Sequence, residues 1–266
     1  MSKKSSSKTN FLAQGTILVI ASFVAKAIGM IYRIPLTHIL GDDGNGYYST
    51  ANEIYTIILM ISSFSLPLAV SRLVAEREYA GEVKNSYKVL ICSLRFAAVT
   101  GGILSILTFL LGGVITKYVM GVELASYALR VLAPAIFLFA LTGVLRGFFQ
   151  GHGTMVPTAV SQIIEQIINA IVSVAGAYVM LQYGLKLGEK KGDAELGTAL
   201  AAAGGTFGTV ASVGVALLFM IVIYLGYRNG FKRRMKKDKT RRRESDRAIY
   251  RAITYTILPI VLSTLV

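Results

Sequence analysis

The chain of 266 residues is 54% hydrophobic and only 16% charged, with a net charge of +14 and a mean hydropathy of +0.59. A soluble domain carries roughly a quarter charged residues, so the composition favours a membrane protein. Cys92 is the single cysteine and can form no intrachain disulfide, and the two histidines lack a metal-ligand spacing. We therefore expect no enzyme active site, no metal and no cofactor.

Apolar runs long enough to cross a bilayer recur along the chain. A spanning helix needs about 20 predominantly apolar residues. Six complete runs meet this length, and a seventh begins near Tyr250 and is still apolar at Val266. The six runs cover residues 11–39, 46–70, 89–116, 123–145, 156–183 and 197–226. The sequence thus predicts an all-α, polytopic integral membrane protein with six complete transmembrane helices and the start of a seventh.

The first apolar run has a second interpretation, because lysines precede it and Ala25-Lys26-Ala27 imitates a signal-peptide cleavage site. The run continues through IGMIYRIPLTHIL, which is too long for a signal core. We expect a retained first helix, with cleavage as the minor alternative.

The distribution of Lys and Arg predicts the orientation. With a cytoplasmic N-terminus, 20 of the 28 basic residues lie in cytoplasmic segments, four in outer loops and four within spans. Basic residues concentrate in cytoplasmic loops. We therefore expect a multi-pass membrane protein, with residues 1–10 and 145–156 cytoplasmic.

Much of the positive charge lies in the run FKRRMKKDKTRRRESDR. Such a run can bind anionic lipid headgroups or nucleic acid. No aromatic residues are interleaved within the basic cluster, so nucleic acid is not an expected partner. The simplest interpretation is a cytoplasmic topology anchor, and membrane lipids are an expected partner.

Charged residues also occur inside the first two predicted spans, where lipid is a costly neighbour. Lys26 and Arg33 share a face of the first helix with Ser22 and Thr37, within an arc of about 60°. Glu53 lies on a polar face of the second helix, at about the depth of Arg33. An ion pair between Arg33 and Glu53 is plausible, either as a structural pair or with a functional role.

The stretch LRGFFQGHGTMVPTAVSQIIEQI is unusually polar for its surroundings. Its first part, with Pro157, predicts a cytoplasmic turn. The helix that follows carries a polar stripe within an arc of about 140°, formed by Thr158, Ser161, Gln162, Glu165, Gln166, Asn169 and Ser173. A stripe of this length indicates a water-accessible cavity rather than a tight helix seam, although the seam remains an alternative.

The same stretch resembles the polysaccharide exporters related to stage V sporulation protein B and to the Gram-positive lipid II flippases. The segments AKAIGMIYRIPLTHILGDDGNGYYSTANEIYT and FSLPLAVSRLVAEREYAGE are similar to the same group. These proteins belong to the multidrug, oligosaccharidyl-lipid and polysaccharide (MOP) transporter superfamily. The resemblance implies a MOP-like fold, with two six-helix lobes around a cavity that opens alternately to each side.

On this resemblance the chain divides into a cytoplasmic N-terminus (1–10), an N-terminal six-helix lobe (11–226), a basic interlobe linker (227–249) and a truncated seventh helix (250–266). A C-terminal lobe, which this chain lacks, is then an expected partner. The implied function is the export of a lipid-linked oligosaccharide or a lipid II-like pyrophosphate lipid across a bacterial plasma membrane, in polysaccharide or cell wall biogenesis.

A pyrophosphate headgroup requires fixed cations near mid-membrane. The candidate substrate-binding residues are Lys26, Arg33, Glu53, Arg130, Gln162, Glu165 and Asn169. Among these, Lys26 and Arg33 supply charge, Arg130 can add to it, and Glu165 is expected to pair with Lys26 when no substrate is bound. Two alternatives remain open: a cation-coupled multidrug antiporter that uses Glu53 and Glu165, and a membrane scaffold without transport activity.

Overall fold

The computed structural model describes the backbone of residues 2–193, 195–238, 240 and 243–265. It describes the side chains of 14–193, 195–238, 240 and 243–259. Six of the basic residues that were used to predict the orientation have side chains that the structure does not describe. Three are N-terminal lysines and three belong to the linker. They are Lys3, Lys4, Lys8, Lys239, Arg241 and Arg242.

The described backbone is helical nearly throughout and contains no strand, which confirms the all-α prediction. The helices are α1 (Ser2–Ser62), α2 (Leu66–Tyr79), α3 (Val83–Val114), α4 (Ala125–Gly151), α5 (Val156–Lys191), α6 (Leu196–Lys237) and α7 (Asp246–Leu265). A π-helical turn, Ile115–Val119, extends α3.

Helix α1 contains both the first and most of the second predicted span. The GDDGNG segment, which separates the first two predicted spans, is helical except for a single residue, Gly41, with φ 65° and ψ −172°. Only glycine adopts this backbone conformation without strain. The outgoing arm, residues 2–40, therefore turns directly into the returning arm, residues 42–62.

Asn45 stabilises the bend at Gly41. Its Nδ2 donates to the carbonyl oxygens of Thr37 at 3.1 Å and Gly41 at 2.8 Å. The returning arm ends at Ser62 rather than at the predicted residue 70, and α2 begins at Leu66 after a short turn. Proline at the first turn of α2 suits a helix start, since a backbone donor is not needed there.

Five helical segments of the described chain are long and apolar enough to cross a membrane. The first, Gln14–Tyr79, has 66 residues and includes both arms of α1 together with α2. A single crossing needs about 20 residues, so this segment accommodates both of the first two predicted spans. The other four segments correspond to the third to sixth predicted spans.

Helix α4 forms the centre of the bundle, and glycines bring α2 onto it. At Gly147 an added Cβ would lie 2.5 Å from the Pro67 carbonyl oxygen, and at Gly151 it would lie 2.6 Å from the Val74 Cβ. Gly143 meets Pro67 on the same stripe. Small residues at this spacing allow transmembrane helices to pack closely.

Helices α5 and α6 form an equally close pair. A Cβ on Gly176 would lie 2.5 Å from the Gly204 carbonyl oxygen, and a Cβ on Gly208 would lie 2.0 Å from the Ser173 Oγ. Helix α6 continues to Lys237, 11 residues beyond the predicted edge at 226. The first half of the basic run is thus a helical extension of α6.

Candidate functional site: a charged groove on α1 and a polar seam behind it

A groove with a volume of about 670 Å³ lies between the two arms of α1. Its lining includes Tyr32 and Arg33 from the outgoing arm, and Asn52 and Glu53 from the returning arm. Arg33 and Glu53 would lie about 30 Å apart on a straight helix. The bend at Gly41 is what brings these two predicted site residues to one groove.

The ion pair considered between Arg33 and Glu53 is not formed. Both side chains are exposed, and among the described residues neither has an ion pair or hydrogen bond. Lys26 is exposed as well, two helical turns from Arg33 on the same face, and it too has no such partner in the described part of the chain. The exposed face of α1 therefore carries three uncompensated charges at predicted membrane depth.

Glu165 pairs with Arg146 rather than with Lys26. The Arg146 Nη2 and the Glu165 Oε2 are 2.8 Å apart, with side-chain exposures of 8% and 14%. Arg146 Nε also donates to Ser161 Oγ at 2.9 Å. Two predictions are therefore wrong: Glu165 does not pair with Lys26, and Arg146 lies in α4 rather than in a turn.

The rest of the polar stripe on α5 also forms helix contacts. Ser22 Oγ donates to Gln162 Oε1 at 3.3 Å, and Asn169 Nδ2 donates to Tyr32 Oη at 2.9 Å. Ser173 Oγ donates to Asn169 Oδ1 at 2.9 Å. We call this set of contacts, together with the Arg146–Glu165 pair, the polar seam.

The predicted water-accessible cavity along the polar stripe of α5 is wrong for this structure, in which the stripe forms the alternative, a seam between helices. Asn169, Ser161 and Thr158 are buried, and their hydrogen bonds are satisfied by α1, by α4 or within α5. Gln166 is also part of the interface, since its Oε1 lies 3.6 Å from the Cβ position of Gly29. In this structure the stripe positions α1 against α5.

Tyr32 connects the polar seam to the groove. Its hydroxyl receives the Asn169 amide on one side, and the residue lines the groove beside Arg33. The seam therefore fixes the position of the outgoing arm from which Arg33 projects.

Arg130 lies away from this region, in the second turn of α4. Its guanidinium lies against α3, with Nη2 3.1 Å from the Cβ position of Gly113. Arg130 therefore packs in the interface between α3 and α4, and the structure does not bring it together with Arg33.

A cluster that was not predicted from the sequence joins the ends of three helices. His152 Nδ1 lies 2.8 Å from the Phe148 carbonyl oxygen and Nε2 lies 3.2 Å from Glu78 Oε1, while Arg234 pairs with Glu78. A carbonyl oxygen only accepts, so Nδ1 must donate, and the contact with Glu78 is attractive when Nε2 is also protonated. These residues hold the ends of α2, α4 and the extension of α6 together.

The acidic residues of the basic run attach it to α2 and α3. Glu244 accepts a bidentate pair from Arg77 at 2.7 and 3.0 Å, and Asp246 contacts Lys88 at 2.7 Å. The Lys84 backbone N–H donates to Asp238 at 2.8 Å. The only sequence signal for this arrangement was the presence of three acids in a strongly basic segment.

The repeated membrane-length helices, the closely packed bundle and the charged groove define a multi-pass membrane protein with the MOP transporter fold. A solved MATE structure in the straight conformation superimposes with a TM-score of 0.74 at 21% identity, covering 97% of this chain and 53% of that one. A MOP superfamily transporter from Pyrococcus furiosus gives a TM-score of 0.69 at 20% identity, covering 94% and 52%. At these identities the likeness shows the fold alone.

The family model described as "Polysaccharide biosynthesis protein" matches residues 11–260, and the chain belongs to this family. Stage V sporulation protein B of Bacillus subtilis (strain 168) is 28% identical over 217 residues, which is 82% of this chain and 39% of that protein. The lipid II flippase MurJ of the same organism is 29% identical over 180 residues, which is 64% of this chain and 33% of the flippase. The chain therefore spans between one third and two fifths of the length of these relatives.

Proposed function

We propose that the chain forms one lobe of a flippase that moves a lipid-linked sugar across the cytoplasmic membrane by alternating access. Family membership and the similarity to a lipid II flippase support this class of substrate. In this proposal residues 11–226 are the N-terminal lobe, 227–249 the interlobe linker and 250–266 the start of the second lobe. The N-terminus and the linker are cytoplasmic.

The observation that carries the proposal is the unpaired charge on the exposed face of α1. Lys26, Arg33 and Glu53 are exposed and have no ionic partner within the described residues. Charges at membrane depth face a protein interior or a water-filled cavity rather than lipid. A second lobe opposite α1 would supply the other wall of such a cavity.

The chemistry of this face suits an anionic headgroup. Two cations accompany one carboxylate, and Arg33 and Lys26 lie about 10 Å apart along the helix axis. The guanidinium of Arg33 has five donors in a planar fork that matches phosphate oxygens, and Lys26 adds a compact charge at greater depth. Asn52 and Ser49 line the same groove and can contact sugar hydroxyls.

The remaining candidate residues have supporting roles in this proposal. Gln162, Glu165 and Asn169 hold α1 in register through the polar seam, and they reach substrate only if α1 separates from α5. Arg130 stabilises the contact between α3 and α4. The headgroup contacts are therefore assigned to Lys26 and Arg33, and Glu53 lines the groove beside Arg33.

Translocation of a fluorescent pyrophosphate-linked lipid in proteoliposomes tests the proposal. The assay uses the 266-residue chain and a form continued through a second six-helix lobe. Arg33→Gln and Lys26→Gln should each reduce translocation at least tenfold in the two-lobe form, because each removes a cation that offsets the burial of the headgroup. Lys117→Gln is the matched control: it removes one exposed cation that is paired with Glu123 and does not line the groove, and it should leave the rate unchanged.

The acid in the groove distinguishes the proposal from a cation-coupled antiporter. For a flippase, Glu53→Gln should preserve translocation, since the carboxylate repels the headgroup. For an antiporter, Glu53→Gln should abolish proton- or sodium-coupled export of an organic cation, and Arg33→Gln should leave that export intact. Loss of activity in Glu53→Gln together with full activity in Arg33→Gln would contradict the flippase proposal. If neither the 266-residue chain nor the two-lobe form transports any substrate, a scaffold would be favoured.

A further inference from the structure

A second cavity lies at the opposite end of the molecule from Gly41, between the first turns of α3 and the segment that joins α6 to α7. It has a volume of about 430 Å³. Its polar lining includes four cations, Lys84, Lys88, Arg95 and Arg243, and one carboxylate, Asp246. None of these residues belongs to the groove on α1 or to the polar seam.

Three of the four cations keep N–H donors available to a ligand, whereas Lys88 Nζ is engaged by the Glu244 carbonyl oxygen at 2.6 Å and by Asp246 at 2.7 Å. Lys84 Nζ donates to the Asp238 carbonyl oxygen at 2.7 Å, which leaves two of its three N–H groups. Arg95 forms an ion pair with Asp246 at 3.6 Å, beyond hydrogen-bond distance, so its N–H groups remain free to donate, and its side chain is 64% exposed. Arg243 is exposed and makes no ion pair or hydrogen bond in the described part of the chain.

The position of the cavity matches the boundary between headgroups and acyl chains. Lys84 and Lys88 precede the third predicted span, which begins at residue 89, and Arg95 lies about 9 Å further along the helix. The Arg95 side chain can extend back toward the headgroups. Tyr87 and Ile91 give the cavity apolar walls beside these cations.

The same face of α3 continues as an exposed apolar strip. Val99, Ile103 and Ile106 are 60%, 54% and 60% exposed. At about 100° per residue they fall with Lys84, Lys88 and Arg95 within an arc of about 100°. The helix therefore presents a cationic head followed by an apolar track, in the order of a phospholipid phosphate and its acyl chain.

We propose that this cavity binds the phosphate of an anionic phospholipid, whose acyl chain lies along Val99, Ile103 and Ile106. Basic pockets between helices at the membrane surface recognise such headgroups. A bound lipid would also contact α3, the segment that joins α6 to α7 and the start of α7, since Arg243 lies in that segment and Asp246 begins α7. Binding of this lipid is independent of the transport activity proposed for α1.

The absence of tryptophan from the chain allows a direct test. Val99→Trp places a single reporter on the apolar track, clear of the charged residues. The protein is reconstituted with phosphatidylglycerol or phosphatidylcholine brominated on the acyl chains, and quenching of the tryptophan is measured against mole fraction. Leu218→Trp, exposed on α6 at a similar predicted depth, is the matched reporter control.

Half-maximal quenching at Val99→Trp should need roughly five- to tenfold less brominated phosphatidylglycerol than brominated phosphatidylcholine. Adding Arg95→Gln with Arg243→Gln should remove this preference. Adding Arg228→Gln with Arg247→Gln, which removes the same charge from exposed positions outside the cavity, should retain it. The preference should also weaken as salt concentration rises.

Four outcomes would overturn the proposal. Equal quenching by the two lipids at Val99→Trp, or an equal preference at Leu218→Trp, would show no specific site. Abolition of the preference by millimolar inorganic phosphate would show that the cavity takes a soluble anion rather than a lipid. Counting the phosphatidylglycerol retained by purified wild-type protein and by the Arg95→Gln, Arg243→Gln variant gives a second measurement that needs no reporter, and equal retention would likewise contradict the proposal.

Discussion

Removal of Glu165 should destabilise the bundle strongly, because it leaves Arg146 buried without its carboxylate. Arg146 is only 7% exposed, and its remaining side-chain hydrogen bond is to Ser161. Breaking a buried ion pair by removing one partner costs about 3–5 kcal/mol. We therefore expect Glu165→Ala to lower the free energy of unfolding by about this amount.

A double-mutant cycle separates the ion pair from simple loss of packing. Arg146→Met with Glu165→Leu replaces both charges by apolar side chains of similar size, a change that is often neutral or stabilising for a buried pair. The double variant should therefore be more stable than either single variant. The free energy of unfolding is measured by denaturant titration in mixed micelles.

An exposed ion pair in the same protein provides the control. Arg72 and Glu76 are 3.0 Å apart, with side chains 70% and 53% exposed, and such pairs contribute between about 0 and 1 kcal/mol. Arg72→Ala should change stability by no more than this. If Glu165→Ala has an equally small effect, or if the double variant costs the sum of the two single ones, the reasoning about a buried, mutually dependent pair is refuted.

Three further predictions concern packing, topology and acid stability. Gly208→Ala should prevent close contact of α5 and α6, since its Cβ would overlap the Ser173 backbone nitrogen at 2.5 Å, and should lower the free energy of unfolding by at least about 2 kcal/mol. Gly226→Ala is the control: Gly226 has open space around it, so this change should be neutral or slightly stabilising in the same unfolding assay. With Cys92→Ala as background, an impermeant thiol reagent should label Lys236→Cys and Lys190→Cys from opposite sides of the membrane, and labelling of both from one side would contradict the topology. The hydrogen bond and charge of Lys88 lower the pKa of Asp246, and hydrogen bonds from Thr240 and Lys84 lower the pKa of Asp238 against the opposing effect of partial burial. Both carboxyls have lowered pKa values in the folded protein. Their contribution to holding the basic run against α3 is therefore complete above their ordinary pKa of about 3.9, and it is lost as pH falls through the lowered values. Distances between spin labels at Tyr79 and Arg247 should therefore stay constant from pH 7 to pH 5, and a change within that range would contradict this account.

The sequence predicted the helices well because each long apolar run has only one stable form in a bilayer. The predicted start of α5 at residue 156 and of α6 at residue 197 agree with Val156 and Leu196. The predictions failed where polarity was taken as the sign of a loop. Most of GDDGNG is helical because Asn45 and Gly41 satisfy the bend locally.

The candidate site was predicted in part. Helical periodicity placed Arg33 and Glu53 on polar faces, and the bend at Gly41 brings both to one groove. Periodicity cannot fix the mutual rotation of two helices, so Lys26 was predicted as the partner of Glu165 in place of Arg146. The hydropathy pattern ended the fourth span at residue 145, because a buried, paired arginine contributes the same hydropathy as a solvated one.

The polar seam also has a consequence for the order in which the chain is made. Ser22 and Gln162 are separated by 140 residues, and Tyr32 and Asn169 by 137. At a synthesis rate of about 5–20 residues per second, the partners on α5 emerge roughly 7 to 30 s after those on α1. Throughout that interval the outgoing arm, with Lys26 and Arg33, has no α5 against which to satisfy its polar groups. We expect nascent α1 to be retained beside the insertion machinery until α5 has been synthesised, so that the first helix to emerge is among the last to pack.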